Sequence, residues 1–211
     1  QDIVQLLLNH SERIELNARN DFGLTAFMEA CLKGHKDVVK LLLDHSDKIE
    51  LNARINDGGC TPFMYACLSG RKDVVQLLLD HSDRIELNAR GFSGRTAFMM
   101  ACNNGQKDVV KLFLDHSERI ELNARDNNGD TALIVACEHG HKDVVQLLLN
   151  HSERIDLNAR DIYGSTAIMC ACRKGHKDVV KLLLDHPEGI ELNARTNNGR
   201  TAFMIACRSV S

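Results

Sequence analysis

Residues 126–160 read DNNGDTALIVACEHGHKDVVQLLLNHSERIDLNAR. Gly129 is a turn residue, where a backbone angle that other residues resist is needed. Thr131 follows it and suits a helix N-cap, since its hydroxyl can accept an unpaired backbone N–H. The apolar run from Ala132 predicts a first helix of about eight residues that stops at Gly140, in the C-terminal capping position. A second helix, DVVQLLLNH, follows with Asp143 near its positive end. Its Val-Val-x-Leu-Leu-Leu centre is too apolar for a surface helix and must be covered by neighbours. The segment HSERIDLNAR returns the chain, with Ile155 and Leu157 alternating as in a short strand.

The same pattern extends through the whole chain. Gly129 recurs as Gly23, Gly59, Gly94, Gly164 and Gly199, and Thr131 as Thr25, Thr61, Thr96, Thr166 and Thr201. Pro62 directly after Thr61 fits a first helical position. The second-helix marker falls at Asp2, Asp37, Asp73, Asp108, Asp143 and Asp178, in steps of 35, 36, 35, 35 and 35. The length of 211 residues is 6 × 35 + 1. A chain written in one period is a repeat array, in which each unit leans on its neighbours and the core is long and thin.

The units resemble the ankyrin repeat. The residues that carry the resemblance are G-x-T-(A/P)-(F/L/I)-(M/I)-x-A-C-x-x-G, then K-D-V-V-x-L-L-L, then L-N-A-R. It covers the entire chain and implies an all-α helical repeat solenoid of helix-turn-helix units with short β-hairpin or turn projections. The chain departs from the family in three ways. Its period exceeds the usual ~33 residues, with the extra residues in His-Ser-Glu-Arg-Ile. Thr-Pro-Leu-His becomes Thr-Ala-Phe-Met in most copies, and the second Ala of an Ala-Ala pair becomes Cys. The expected division is a half-unit at 1–19, full units at 20–54, 55–90, 91–125, 126–160 and 161–195, and a half-unit at 196–211. Neither end has the polar outer face of a terminal cap. Ile3, Val4 and Leu7 lie at one end, Phe203 and Ile205 at the other, which predicts a longer parent array or end-to-end association of chains.

Charge and hydropathy narrow the partners. With 26 basic and 29 acidic residues the formal net charge is −3, too balanced for bulk attraction to nucleic acid or an anionic membrane. No apolar run approaches the ~20 residues that span a bilayer. The chain opens at Gln1 without a basic-then-apolar leader, so a targeting signal was removed or never included.

Of eight cysteines, six form one column: Cys31, Cys67, Cys102, Cys137, Cys172 and Cys207. Stacked equivalent positions lie on the order of 10 Å apart, roughly one helix diameter. Disulfides need Cα atoms within about 7 Å, and zinc ligands sit about 2 Å from their ion. The column therefore predicts small buried hydrophobes, no metal, and a reducing, intracellular compartment such as cytoplasm or nucleus. Cys60 and Cys170 stand outside it and are the candidate reactive thiols. His10, His45, His81, His116, His151 and His186 recur at the end of helix two, and His35, His141 and His176 after the glycine. Residues copied wholesale fit structure better than catalysis. Asp44-His45-Ser46 spells triad letters but cannot converge as a triad must. No enzymatic site or cofactor is expected.

Arg19, Arg54, Arg90, Arg125, Arg160 and Arg195 form a further column beside acidic residues. It reads either as a basic ladder for an acidic or phosphorylated partner, or as ion pairing between units, the favoured alternative. Asn17, Asn52, Asn88, Asn123, Asn158 and Asn193 are expected to tie adjacent turns through their side chains.

Against this constant frame, the copies differ at the turn tips and on helix one. In ankyrin-like stacks these positions line the concave groove, and variation on one face of a fixed scaffold is what a binding surface requires. The expected partner-binding residues are Phe22, Leu24, Glu29, Leu32, Tyr65, Leu68, Phe92, Arg95, Met100, Asn103, Asp130, Glu138, His139, Tyr163 and Arg173. The N-terminal half is apolar and aromatic, a composition favoured at contact sites. The other half, with Arg173, Lys174, Arg200 and Arg208, suits polar partners. The function expected is a scaffold for a protein partner. The alternatives are a spacer segment of a longer repeat protein or an engineered, consensus-like scaffold, against which Phe113, Pro187 and Gly189 speak. One extra residue near Gly58 lengthens a single tip.

Overall fold

A computed structural model describes residues 2–55, 59–186 and 189–209. The helices are α1 (Asp2–Leu8), α2 (Ala26–Lys33), α3 (Lys36–Asp44), α4 (Pro62–Leu68), α5 (Lys72–Asp80), α6 (Ala97–Asn103), α7 (Lys107–Asp115), α8 (Ala132–Glu138), α9 (Lys142–Leu149), α10 (Ala167–Lys174), α11 (Lys177–Asp185) and α12 (Ala202–Ser209). The even-numbered helices pack side by side in one row and the odd-numbered ones from α3 onward in a second, each first helix resting on the second helix of its own unit.

Each first helix starts as its sequence requires. The hydroxyls of Thr25, Thr61, Thr96 and Thr131 accept the backbone N–H three residues on, at 3.3–3.5 Å. Pro62 occupies the first turn of α4. Each stops at a left-handed glycine, with φ between 66° and 81° at Gly34, Gly70, Gly105, Gly140 and Gly175. Over the first four of these glycines lie side chains from the next unit, each donating to a carbonyl at the end of the preceding first helix. Arg71 Nε reaches Leu32 at 3.0 Å and Gln106 Nε2 reaches Leu68 at 3.1 Å. His141 Nε2 reaches Asn103, and His176 Nε2 reaches Glu138, both at 2.8 Å. A carbonyl only accepts, so both rings carry a proton on Nε2. The histidines closing the second helices use the other nitrogen: Nδ1 of His45, His81, His116 and His151 donates to the carbonyl four residues back at 2.8–2.9 Å.

The asparagine and arginine columns join the units. Asn123 Nδ2 donates to the Arg154 carbonyl at 2.9 Å while its Oδ1 accepts the Asp156 N–H at 2.8 Å. Asn17, Asn52 and Asn88 make the same pair of bonds one unit apart. From Arg19 to Arg160, each guanidinium of the arginine column donates to the backbone carbonyl of the next arginine along, as Arg19 does to Arg54 at 2.6 Å and Arg160 to Arg195 at 2.8 Å. Flanking acids sit 3.3–3.9 Å away at Arg54, Arg90, Arg125 and Arg160. This column therefore ties unit to unit, as its favoured reading expects.

The short strand read from Ile155 and Leu157 does not form. Both side chains are buried and Asp156 between them is exposed, so the alternation is real, but the backbone runs in turns. No strand occurs among the described residues. The cause is the asparagine column, whose side chains take backbone groups that a neighbouring strand would otherwise pair.

The core runs the length of the stack. Phe27, Phe63, Phe98, Leu133 and Ile168 fill one layer of the first helices, over buried Val and Leu of the second. Phe113 replaces a leucine of the sister copies and meets Phe63 and Phe98 edge-on, at ring-centre distances of 5.7 and 5.4 Å. Ile3 and Leu7 at one end and Phe203 at the other are exposed, with Leu6 and Met204 beside them, whereas Val4 and Ile205 are half-buried.

Candidate protein-docking groove

The tips owe their shape to their first residue. Asn20 Oδ1 accepts the N–H groups of Phe22 and Leu24 at 2.9 and 3.0 Å. Asp126 does the same for Asn128 and Asp130, and Asp161 for Tyr163 and Ser165, at 2.7–3.0 Å. This side-chain turn frees the next two residues to project. Successive tips are joined by backbone bonds from Asn127 to Ser93, Ile162 to Asn128 and Asn197 to Tyr163, at 2.8–2.9 Å. From Gly91 onward the tips are thus joined in one row beside the first helices.

At the tips Phe22, Phe92 and Tyr163 are 80, 54 and 65% exposed, and Ile162 is 55% exposed. Tyr65, Leu68, Phe92, Arg95, Met100 and Asn103 come together, from two neighbouring units, around one cavity of about 280 Å³. Leu24, Glu29 and Leu32 are half-buried one unit earlier, where Asn20 Nδ2 donates to Glu29 at 2.8 Å. Two residues lie deeper than the rest: Met100 is 6% and Asp130 7% exposed. Gly91 lets Met100 sink, because a Cβ there would stand 2.9 Å from Met64 Sδ and 3.1 Å from Met100 Cε. That dependence on a neighbouring tip is invisible when the copies are compared one position at a time.

The middle of the groove is a polar network. Arg95 Nε donates to Asp126 Oδ2 at 3.0 Å and its Nη1 to Asn103 Oδ1 at 2.7 Å, with the Asp126 side chain fully buried. Burial, reinforced by Asp126, Asp161 and Glu138, pushes the Asp130 carboxyl up to about 6, opposed by Arg95. Glu138 lies 3.8 Å from Arg173 and 3.4 Å from Lys174. His139 is exposed, and its ring stacks on His141 with centres 6.1 Å apart. The C-terminal half ends in a second cavity of about 420 Å³ that Tyr163, Arg173, Arg200 and Arg208 line.

The thiols are not where their chemistry was expected. Cys60 and Cys170, the candidate reactive pair, are both buried. Burial raises the Cys60 thiol, and raises Cys170 to about 12, so neither is a thiolate near neutral pH. The exposed cysteine is Cys207. All eight are unpaired, and Cys31, Cys67, Cys102 and Cys137 of the column are fully buried. Among the described residues no group of three or more His, Cys, Asp or Glu side chains could hold a metal ion, and no helix is long and apolar enough to cross a membrane. The one-residue-longer tip near Gly58 lies outside the described residues.

Comparison with known proteins gives the same architecture. The crystal structure of the ankyrin repeat domain of Bcl-3, described as a unique member of the IkappaB protein family, superposes with a TM-score of 0.79 at 27% identity. The match covers 97% of this chain and 86% of that one. No curated protein sequence matches. The family model for ankyrin repeats matches three times, over residues 1–91, 83–161 and 153–211. With every part of the sequence matched and each unit built from the same capped helix pair, the chain belongs to the ankyrin repeat family.

Proposed function

We propose that this chain is a non-enzymatic scaffold that docks a protein partner in its concave groove, anchored by the apolar half. The observation that carries the proposal is the cavity shared by Tyr65, Leu68 and Phe92, with Phe92 itself exposed at its rim. Aromatic side chains around a concavity are the usual source of contact energy at interfaces. The Arg95–Asp126–Asn103 network then acts as the rigid polar wall beside it. The ankyrin fold is a protein-interaction fold, which supports the same reading. The free thiols favour a reducing, intracellular compartment. The exposed apolar residues at the two ends, Ile3 and Leu7 against Phe203, extend the proposal to head-to-tail self-association, which light scattering across a concentration series would detect.

The test is a Tyr65→Ala, Phe92→Ala double variant assayed against a partner first identified by cross-linking in cells and then purified. Binding is expected to fall roughly a hundredfold, as loss of two anchors implies, with the melting temperature nearly unchanged. An equal loss of stability would assign both residues to the core. Unchanged affinity would return the chain to the rival reading, a spacer without a specific partner.

A further inference from the structure

The cavity at the C-terminal end of the groove has a chemistry that neither the family nor the docking reading assigns. It is formed by the same unit positions as the apolar cavity around Tyr65, three units further along. Arg173 stands where Leu68 does, Arg200 where Arg95 does, Arg208 where Asn103 does and Ile205 where Met100 does. In the earlier copy the arginine is satisfied from inside the protein, by the Asp126 carboxylate and the Asn103 side-chain oxygen. In the later copy the asparagine that accepts has become Arg208, which can only donate. Arg200 and Arg208 are exposed; the position that Asp126 holds toward Arg95, one unit on, falls for Arg200 beyond residue 211, so the comparison of the two copies rests on Arg173 and Arg208. Arg173 keeps one distant acid, Glu138, at 3.8 Å and a contact from Nη2 to Cys170 Sγ at 3.2 Å. Three arginines thus line one cavity of about 420 Å³ whose other lining residues include no carboxylate. Their mutual repulsion is relieved by an anion, and the planar five-donor fork of arginine fits the oxygens of a phosphate. Tyr163, Ser165, Thr196 and Asn198 add hydroxyl and amide groups to the wall.

We propose that this cavity is a binding site for a phosphate monoester dianion. Three guanidiniums match the two charges and three terminal oxygens of such a group better than the single charge of a carboxylate. The group comes either on a phosphorylated serine of a protein or as a free phosphorylated small molecule. The column of Arg19 to Arg195, which the sequence offers as a ladder for the same chemistry, is occupied by backbone carbonyls and does not compete. The inference goes beyond the docking proposal and does not need the apolar half, so a null result for the Tyr65, Phe92 pair leaves it standing.

The experiment uses the full chain and calorimetric titration with three probes: a short alanine peptide bearing one phosphoserine, its unphosphorylated form, and inorganic phosphate. The phosphopeptide is expected to bind roughly tenfold or more tighter than the serine peptide, as charge-assisted hydrogen bonds imply. Arg200→Gln with Arg208→Gln should lose that preference. Arg200→Lys with Arg208→Lys, which keeps the charge but not the fork, should keep part of it. Lys36→Gln with Lys72→Gln removes the same charge from the second-helix row and should leave it unchanged. Phosphate binding as tightly as the phosphopeptide assigns the site to free phosphorylated molecules, and the reverse assigns it to phosphoproteins. Failure of both phosphorylated probes to bind overturns the proposal. So does an equal loss in the arginine and lysine double variants, which would reduce the effect to bulk charge. Because Arg200 and Arg208 are exposed, unchanged melting temperatures confirm that the variants remain folded.

Discussion

Gly140 and Gly175 adopt the same left-handed conformation, φ 73°, yet differ in what lies above them. A Cβ at Gly140 would stand 2.6 Å from Nδ1 of His176, whose Nε2 is held by the Glu138 carbonyl, while at Gly175 it would meet open space. Gly175→Ala is therefore expected to cost about 1–2 kcal/mol, the strain of a left-handed non-glycine residue, and Gly140→Ala clearly more. Matching melting temperatures would show that the imidazole yields freely. Asp130 offers a second single-residue test. Its carboxyl is raised in the folded protein from 3.8 to about 6, so the native state holds the proton more tightly than the unfolded chain. The penalty for burying its charge therefore builds as pH rises from 3.8 to about 6, is complete above that, and is absent well below 3.8, where both states are protonated. Asp130→Asn should raise the melting temperature at pH 7, with the gain shrinking below pH 6 and vanishing toward about pH 3; a gain that persists at about pH 3 would trace to packing instead of charge. The variation among copies points to Asp130 and Met100 as groove positions, but their depth is not legible from it. Whether Met100 projects or sinks depends on the volume of the tip beside it, Gly91.

The helices themselves are legible because each is bounded by a residue with a local physical role. Threonine hydroxyls cap the first helix at Thr25, Thr61, Thr96 and Thr131, though not at Thr166, left-handed glycines end it, and the Val-Val-x-Leu-Leu-Leu run of the second has to be buried. The return segment is misread as a strand because alternation reports only which side chains face inward, not what pairs with the backbone. The pairing comes from asparagines about 33 residues away, as between Asn123 and Asp156. Phe113 on α7 shows how one element absorbs an irregular residue: its ring occupies the space between Phe63 and Phe98 of two first helices. Phe113→Ala should cost about 3–5 kcal/mol, the range for a buried aromatic truncated in a packed core. Phe113→Leu, which restores the residue of the sister copies, should cost less than about 1.5 kcal/mol. Denaturant titration separates the two, and a leucine variant as damaged as the alanine one would mean that the neighbouring phenylalanines cannot close over a smaller group.

In a stack where each unit touches only its neighbours, stability is a sum of unit and interface terms, and cooperativity across the molecule depends on the weakest interface. The asparagine links make this testable, because Asn123 supplies two hydrogen bonds between units near the middle, to Arg154 and Asp156. The chain has two tyrosines and no tryptophan, and the tyrosines sit on opposite sides of that link. Tyr65 is on α4, and Tyr163 is in the tip before α10. Replacing either by Phe leaves the other as a single fluorescent reporter of its own half. In the otherwise unaltered protein both reporters should give one urea midpoint, since intact interfaces couple the units. Asn123→Ala removes bonds worth about 0.5–1.5 kcal/mol each, and the reporters should then part, the less stable half unfolding first. Asn17→Ala, which cuts the link to α1 outside the interval between the tyrosines, should lower stability without parting them. If Asn123→Ala moves both midpoints together by the same amount, the continuous apolar core is holding the two halves as one cooperative unit and the polar columns only set the spacing of the turns.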